Sequence, residues 1–89
     1  MPAISTFYGI VVSMYYYDDV RHHVPHIHVR YQGDKAVVAI QDGGQLAGKL
    51  PPRAVRLVQA WVEIHRDELM ADWNLAIQGQ ALFPIDPLQ

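Results

Sequence analysis

Hydrophobic and polar positions change their period twice along the chain. From Tyr8 to Tyr17 the run Tyr-Gly-Ile-Val-Val-Ser-Met-Tyr-Tyr-Tyr is dense in β-branched and aromatic residues, which predicts a strand partly covered on both faces. Met1 to Thr6 reads as its lead-in, and Asp18-Asp19 closes it as a turn. Val20 to Pro25 is a loop in which Pro25 holds Val24 extended. His26 to Gln32 then alternates cleanly, with His26, His28, Arg30 and Gln32 on one side and Ile27, Val29 and Tyr31 on the other, the period-two pattern of a strand with one buried face. Gly33-Asp34 is a two-residue hairpin signal, and Lys35 to Gln41 is the returning strand. After the turn Asp42-Gly43-Gly44, a short strand from Gln45 to Leu50 forms the sheet edge, where Lys49 discourages further pairing.

Pro51-Pro52 marks the second change of period, with Pro52 suited to a first helical turn. Ala54, Leu57, Val58, Trp61, His65, Leu69, Trp73 and Ala76 recur every three or four residues, an apolar stripe that would cover a sheet. The stripe fits one helix from about Arg53 to Gln78, or two helices broken near His65 to Glu68, where Asp67 would cap the second. Gly79 is a stop signal, and Gln80 to Gln89, with Pro84 and Pro87, reads as an extended tail. The expected fold is α+β: a three- or four-stranded antiparallel sheet followed by one or two C-terminal helices packed on one face. Residues 1–89 make one domain, with a sheet part over 1–50, a helical part over 51–79 and a tail over 80–89.

Composition narrows the function classes. The chain has 89 residues, 51% of them hydrophobic and 18% charged, so an ordered but thin-cored single domain is expected, one that a homodimer contact would help. Without cysteine there is neither a disulfide framework nor a thiolate metal site, so any divalent metal would sit on histidine and carboxylate. A net charge of −2 argues against a broad nucleic-acid or membrane surface. Its distribution is uneven, however: Arg21, Arg30 and Lys35 stand against Asp34 alone between Val20 and Lys35, whereas acids dominate after Glu63. No signal peptide or membrane span is expected, and a cytoplasmic location is the default.

Four of the five histidines, His22, His23, His26 and His28, fall within seven positions. His26 and His28 share a strand face with Arg30. The plain reading is a polar, solvated face. A sharper one is phosphate chemistry, in which His26 and His28 act as base and acid and Arg30 stabilises the transition state of a metal-independent ribonuclease. A third is a metal site on His22, His26 and His28, although no established metal-binding spacing is present. No cofactor is otherwise implied. Tyr15 to Tyr17 would add base stacking or, more simply, pack at the sheet edge. His65 follows Trp61 by four and faces inward with the stripe; it joins the strand histidines only if the helix lies on their side of the sheet.

The opening Met-Pro-Ala-Ile-Ser-Thr-Phe-Tyr-Gly-Ile-Val-Val-Ser-Met-Tyr resembles that of the bacterial family called domain of unknown function 4160. So do Pro25-His26-Ile27-His28-Val29, Gly48-Lys49-Leu50-Pro51, Trp61-Val62-Glu63-Ile64-His65-Arg66 and Ile85-Asp86-Pro87-Leu88. The family's lead into Pro-His-Phe-His-Val is usually a second proline or Asn-Pro, whereas Val24 stands before Pro25 here, with His22-His23 upstream. The resemblance implies a small bacterial protein often encoded beside a member of domain of unknown function 2442, in a toxin–antitoxin-like pair. On that basis the first expectation is an interaction module that binds a small protein partner, by strand addition at the sheet edge or through Leu82 to Leu88. The alternatives are a ribonuclease toxin acting on RNA and a histidine-based metal-binding protein.

Overall fold

A computed structural model describes residues 3–15 and 24–89. Five strands in sequence order, β1 (Ala3–Phe7), β2 (Ile10–Ser13), β3 (His26–Tyr31), β4 (Asp34–Ala39) and β5 (Gln45–Gly48), form an antiparallel meander, followed by one helix, α1 (Pro52–Ile77). The α+β architecture is the expected one. The additional strand comes from the amino-terminal segment, which folds back on itself. Tyr8 (φ 50°) and Gly9 (φ 79°) both take positive φ, the two-residue turn whose twist matches antiparallel strands, so the lead-in becomes β1 and the strand expected over Tyr8–Tyr17 starts at Ile10. The second hairpin turns on Gln32 (φ 48°) and Gly33 (φ 87°), one residue earlier than expected, and Asp34 already belongs to β4.

Facing residues across the sheet are set by this register. Val12, Val29 and Ala36 lie side by side and, with Ile10, Ile27 and Val38, form the inner face. Ala54, Val58, Trp61 and Val62 of α1 cover it, and the Trp61 ring lies 5.2 Å from Phe7. Pro51 and Pro52 open the helix, whose first residues need no amide hydrogen. Of the two arrangements read from the stripe, the single helix is the one formed, and it leaves helical geometry at His65 (φ −110°, ψ 22°). No proline or glycine lies there. Next to the bend, Arg66 Nε donates to the Ile40 carbonyl (3.2 Å), and beyond it the Trp73 ring reaches the start of β3, 5.0 Å from that of His26.

The tail is extended, as expected, but it is used internally. The Phe83 amide donates to Asp72 Oδ1 (3.0 Å), the Ile85 amide to the Ile4 carbonyl (2.8 Å), and Trp61 Nε1 to the Asp86 carbonyl (2.8 Å), with Ile85 buried. Asp72 is itself buried, at 2% exposure. Burial raises its pKa above the ordinary aspartate value, partly offset by the Phe83 amide and reinforced by nearby Glu68. Because the folded pKa is raised, the folded state holds the proton more tightly. The full contribution to stability is therefore present below the unfolded pKa and is lost as pH rises through the folded one. Asp72→Asn, which keeps the acceptor for Phe83 without a charge, is expected to raise the urea midpoint at neutral pH, and this gain should shrink as pH falls towards the ordinary aspartate range. A gain independent of pH would show that charge is not the cause.

Candidate functional site

The outer face of the sheet carries two cross-strand rows. Ser13, His28, Val37 and Ala47 face one another along the first, and Val11, Arg30 and Lys35 along the second. The alternation of β3 puts His28 and Arg30 here for the same reason that it puts Ile27 and Val29 in the core. Tyr15, two residues beyond Ser13, stacks on the His28 ring with centroids 4.4 Å apart and planes 27° from parallel. Together with Gly48, these residues, Val11 excepted, line a depression of about 400 Å³. A second hollow of about 290 Å³, lined by Gly9, Val11, Tyr31 and Asp34, lies on the other side of the Arg30–Lys35 pair.

Arg30 and Lys35 are direct partners in the β3–β4 ladder, and both side chains are exposed. Like charges directly opposite one another cost a sheet stability. The ion pairs formed among the described residues, His65–Glu68 and Arg66–Glu63, lie on α1 and do not relieve this repulsion.

The two strand histidines differ in burial. His28 is half-buried at the wall of the depression, whereas His26 is fully buried and does not line it. The His26 ring lies 5.3 Å from that of His28 and 5.0 Å from that of Trp73, and its Nδ1 bonds the Val24 carbonyl (2.8 Å). The bend in α1 thus resolves the conflict that alternation posed. The helix covers the Ile27–Val29 face, and its last turns then pass the sheet end and cap His26 through Trp73. His26 and His28 keep their rings near one another, but His26 is buried, with Trp73 against it, while His28 borders the depression.

His65, read as inward-facing, sits at the bend 5.5 Å from Trp61 with Nδ1 bonded to Glu68 Oε1 (2.5 Å), apart from the strand pair. His22 and His23, and Tyr16 and Tyr17, lie outside the described residues; among the described residues no three histidine or carboxylate groups come together to hold a metal ion. Ser13, the pairing of Lys35 with Arg30 and the stacking of Tyr15 on His28 are not among the sequence expectations. For Lys35 a signal was available, since placing the two-residue turn at Gln32-Gly33 puts Lys35 directly across from Arg30.

A family model described as domain of unknown function (DUF4160) matches residues 9–74. The chain belongs to the DUF4160 family. The matched span runs from the first turn of this DUF4160 protein through β2–β5 to just beyond Trp73, so it holds Ser13, Tyr15, His28, Arg30 and Lys35 together with most of α1. No curated protein and no solved structure matches the chain. No helix among the described residues is long and apolar enough to cross a membrane.

Proposed function

We propose that this protein is a binding module that takes a phosphate-bearing ligand on the outer face of its sheet, with Arg30 and Lys35 as the anion contacts. One observation carries the reading. Two exposed cations sit opposite each other in a ladder, at the edge of a depression walled by Tyr15 and His28. A bound anion turns that repulsion into two charge-assisted contacts. Only His28 of the two strand histidines borders the space, so binding fits this face better than hydrolysis by a histidine pair. A cytoplasmic bacterial protein acting in a two-gene unit is the setting we infer for it.

This reading separates stability from function in a testable way. Arg30→Glu replaces a like-charge cross-strand pair by an opposite-charge one and is expected to stabilise the sheet slightly, by about 0.2–1 kcal/mol. The same change should abolish binding of inorganic pyrophosphate, followed by amide chemical shifts of β3 and β4. Wild-type protein whose outer-face amides ignore pyrophosphate would defeat the proposal, as would binding that survives Arg30→Glu.

A cognate small-protein partner is a second reading with an observation of its own. β5 stands at the edge of the sheet with Leu46 exposed, while the tail occupies β1 through the Ile85–Ile4 bond. Strand addition, by a partner or by a second copy of the chain, thus falls to β5 rather than to the tail. Leu46→Pro, which removes an amide donor, is expected to abolish co-purification of such a partner and any dimer. If co-purification survives the substitution, the contact lies elsewhere.

A further inference from the structure

We infer that the ligand of the outer face is a single-stranded nucleotide chain, with one phosphodiester held between Arg30 and Lys35 and the adjoining base lying against the Tyr15–His28 stack. The inference rests on the reading of this face as a phosphate site and names the chemistry that the rest of the site selects.

Three features narrow the class. First, the space has two different walls. Arg30 and Lys35 line the depression from one cross-strand row, and the stacked rings of Tyr15 and His28 line it too, with Ser13, Val37 and Ala47 in the row of His28. A bare inorganic anion needs only the first wall. A nucleotide uses both, because every base offers a π-face to an aromatic ring and every linkage carries one charge. Tyr15 is half-buried, so its ring is partly supported by His28 and partly available. Holding Tyr15 against His28 before the ligand arrives also lowers the ordering cost of the platform.

Second, a depression of about 400 Å³ lies towards the small end of the range for small-molecule sites, which suits one nucleotide unit rather than a long backbone track. Third, among the described residues Arg30 and Lys35 are the lysine and arginine side chains that line the depression, beside His28, on a protein of net charge −2. A duplex binder that follows the backbone neutralises several phosphates in series, whereas two cations serve one or two. A base can reach Tyr15 only when it is unstacked, which again selects single strands, loops or ends over helices.

The experiment is a fluorescence-anisotropy titration of the full chain with end-labelled hexamers of uridine and of thymidine, an RNA duplex of equal length, and polyglutamate as an acidic-protein surrogate. Single strands are expected to bind better than the duplex or polyglutamate, and the two hexamers together show whether the ribose hydroxyl contributes. The log-log salt slope for wild type should be about −0.7, from the one phosphodiester neutralised. Arg30→Gln and Lys35→Gln should each make it shallower. Tyr15→Ala should weaken binding about tenfold, the order expected for one stacked base, and Tyr15→Phe should restore most of the loss. Thermal unfolding of the Tyr15 variants provides the folding control, and the phenylalanine variant keeps the test valid should alanine unfold the chain.

Preference for the duplex or for polyglutamate would overturn the inference, as would indifference to Tyr15→Phe and Tyr15→Ala alike. If pyrophosphate binds and is lost in Arg30→Glu while the hexamers bind no better than pyrophosphate, the nucleotide inference fails and the phosphate site stands. If neither pyrophosphate nor hexamer binds, both fail.

Discussion

Replacing Gly48 by alanine is expected to lower the thermal midpoint by at least about 10 °C, from a loss of roughly 2–5 kcal/mol in a domain of this size. Gly48 ends β5 with φ +80° and faces the β4 backbone so closely that an added Cβ would lie 2.2 Å from the Lys35 carbonyl oxygen and 2.7 Å from the Ala36 Cα. Two costs add. A side chain in the left-handed region costs about 1–2 kcal/mol, and forcing an atom into a closed contact costs about 1–3 kcal/mol more. The contact cannot be relieved by rotating a side chain, because the atoms met are backbone and the Lys49 amide bonds the same Lys35 carbonyl (3.0 Å). Gly33→Ala is the control: φ is +87° but nothing lies within 4 Å, so only the conformational cost applies. Equal midpoints for the two variants would show that the close approach at Gly48 is unimportant. Because Gly48 borders the depression and bears on Lys35, a folded Gly48→Ala protein should also show displaced β4 amides and weaker phosphate binding.

Side-chain periodicity made most of this fold readable, and the misplaced parts trace to backbone conformation. The alternation of His26 to Tyr31 assigned every residue of β3 to the correct face, since burial on one side enforces period two. The first hairpin was concealed because Tyr8 sits inside an apolar run and adopts positive φ despite its Cβ, a conformation that composition does not announce. The one-residue displacement of the second turn preserves the face of Lys35 but changes its partner, so the Arg30–Lys35 repulsion becomes legible only with the turn at Gln32-Gly33. The burial of His26 depends on a bend in α1 at a position with neither proline nor glycine, and on Trp73 reaching back to the sheet end. Local sequence carries no signal for either. Thus His26 and His28, alike in sequence, differ in burial, and His26 meets Trp73, 47 positions away in the chain.

Trp61→Ala is the second substitution with a large expected effect, about 3–5 kcal/mol. Trp61 is fully buried, faces Phe7 at 5.2 Å and donates its indole N–H to the Asp86 carbonyl at 2.8 Å. It therefore joins three parts of the fold that are distant in sequence: β1, the first half of α1 and the tail. Alanine removes the ring that fills the space beneath the sheet and the donor that holds the tail, whereas Trp61→Phe removes chiefly the donor. A single hydrogen bond contributes about 0.5–1.5 kcal/mol net, so the phenylalanine variant should lose far less stability. The two variants should differ in another respect as well. With phenylalanine the domain stays cooperative but the tail loosens, and limited proteolysis should cut first between residues 80 and 89 while the rest resists. With alanine the midpoint falls sharply and cleavage spreads through the chain. If Trp61→Phe leaves tail protection unchanged, the Ile85–Ile4 and Phe83–Asp72 bonds hold the segment without the indole. In that case Asp72, rather than Trp61, is the residue on which the tail depends.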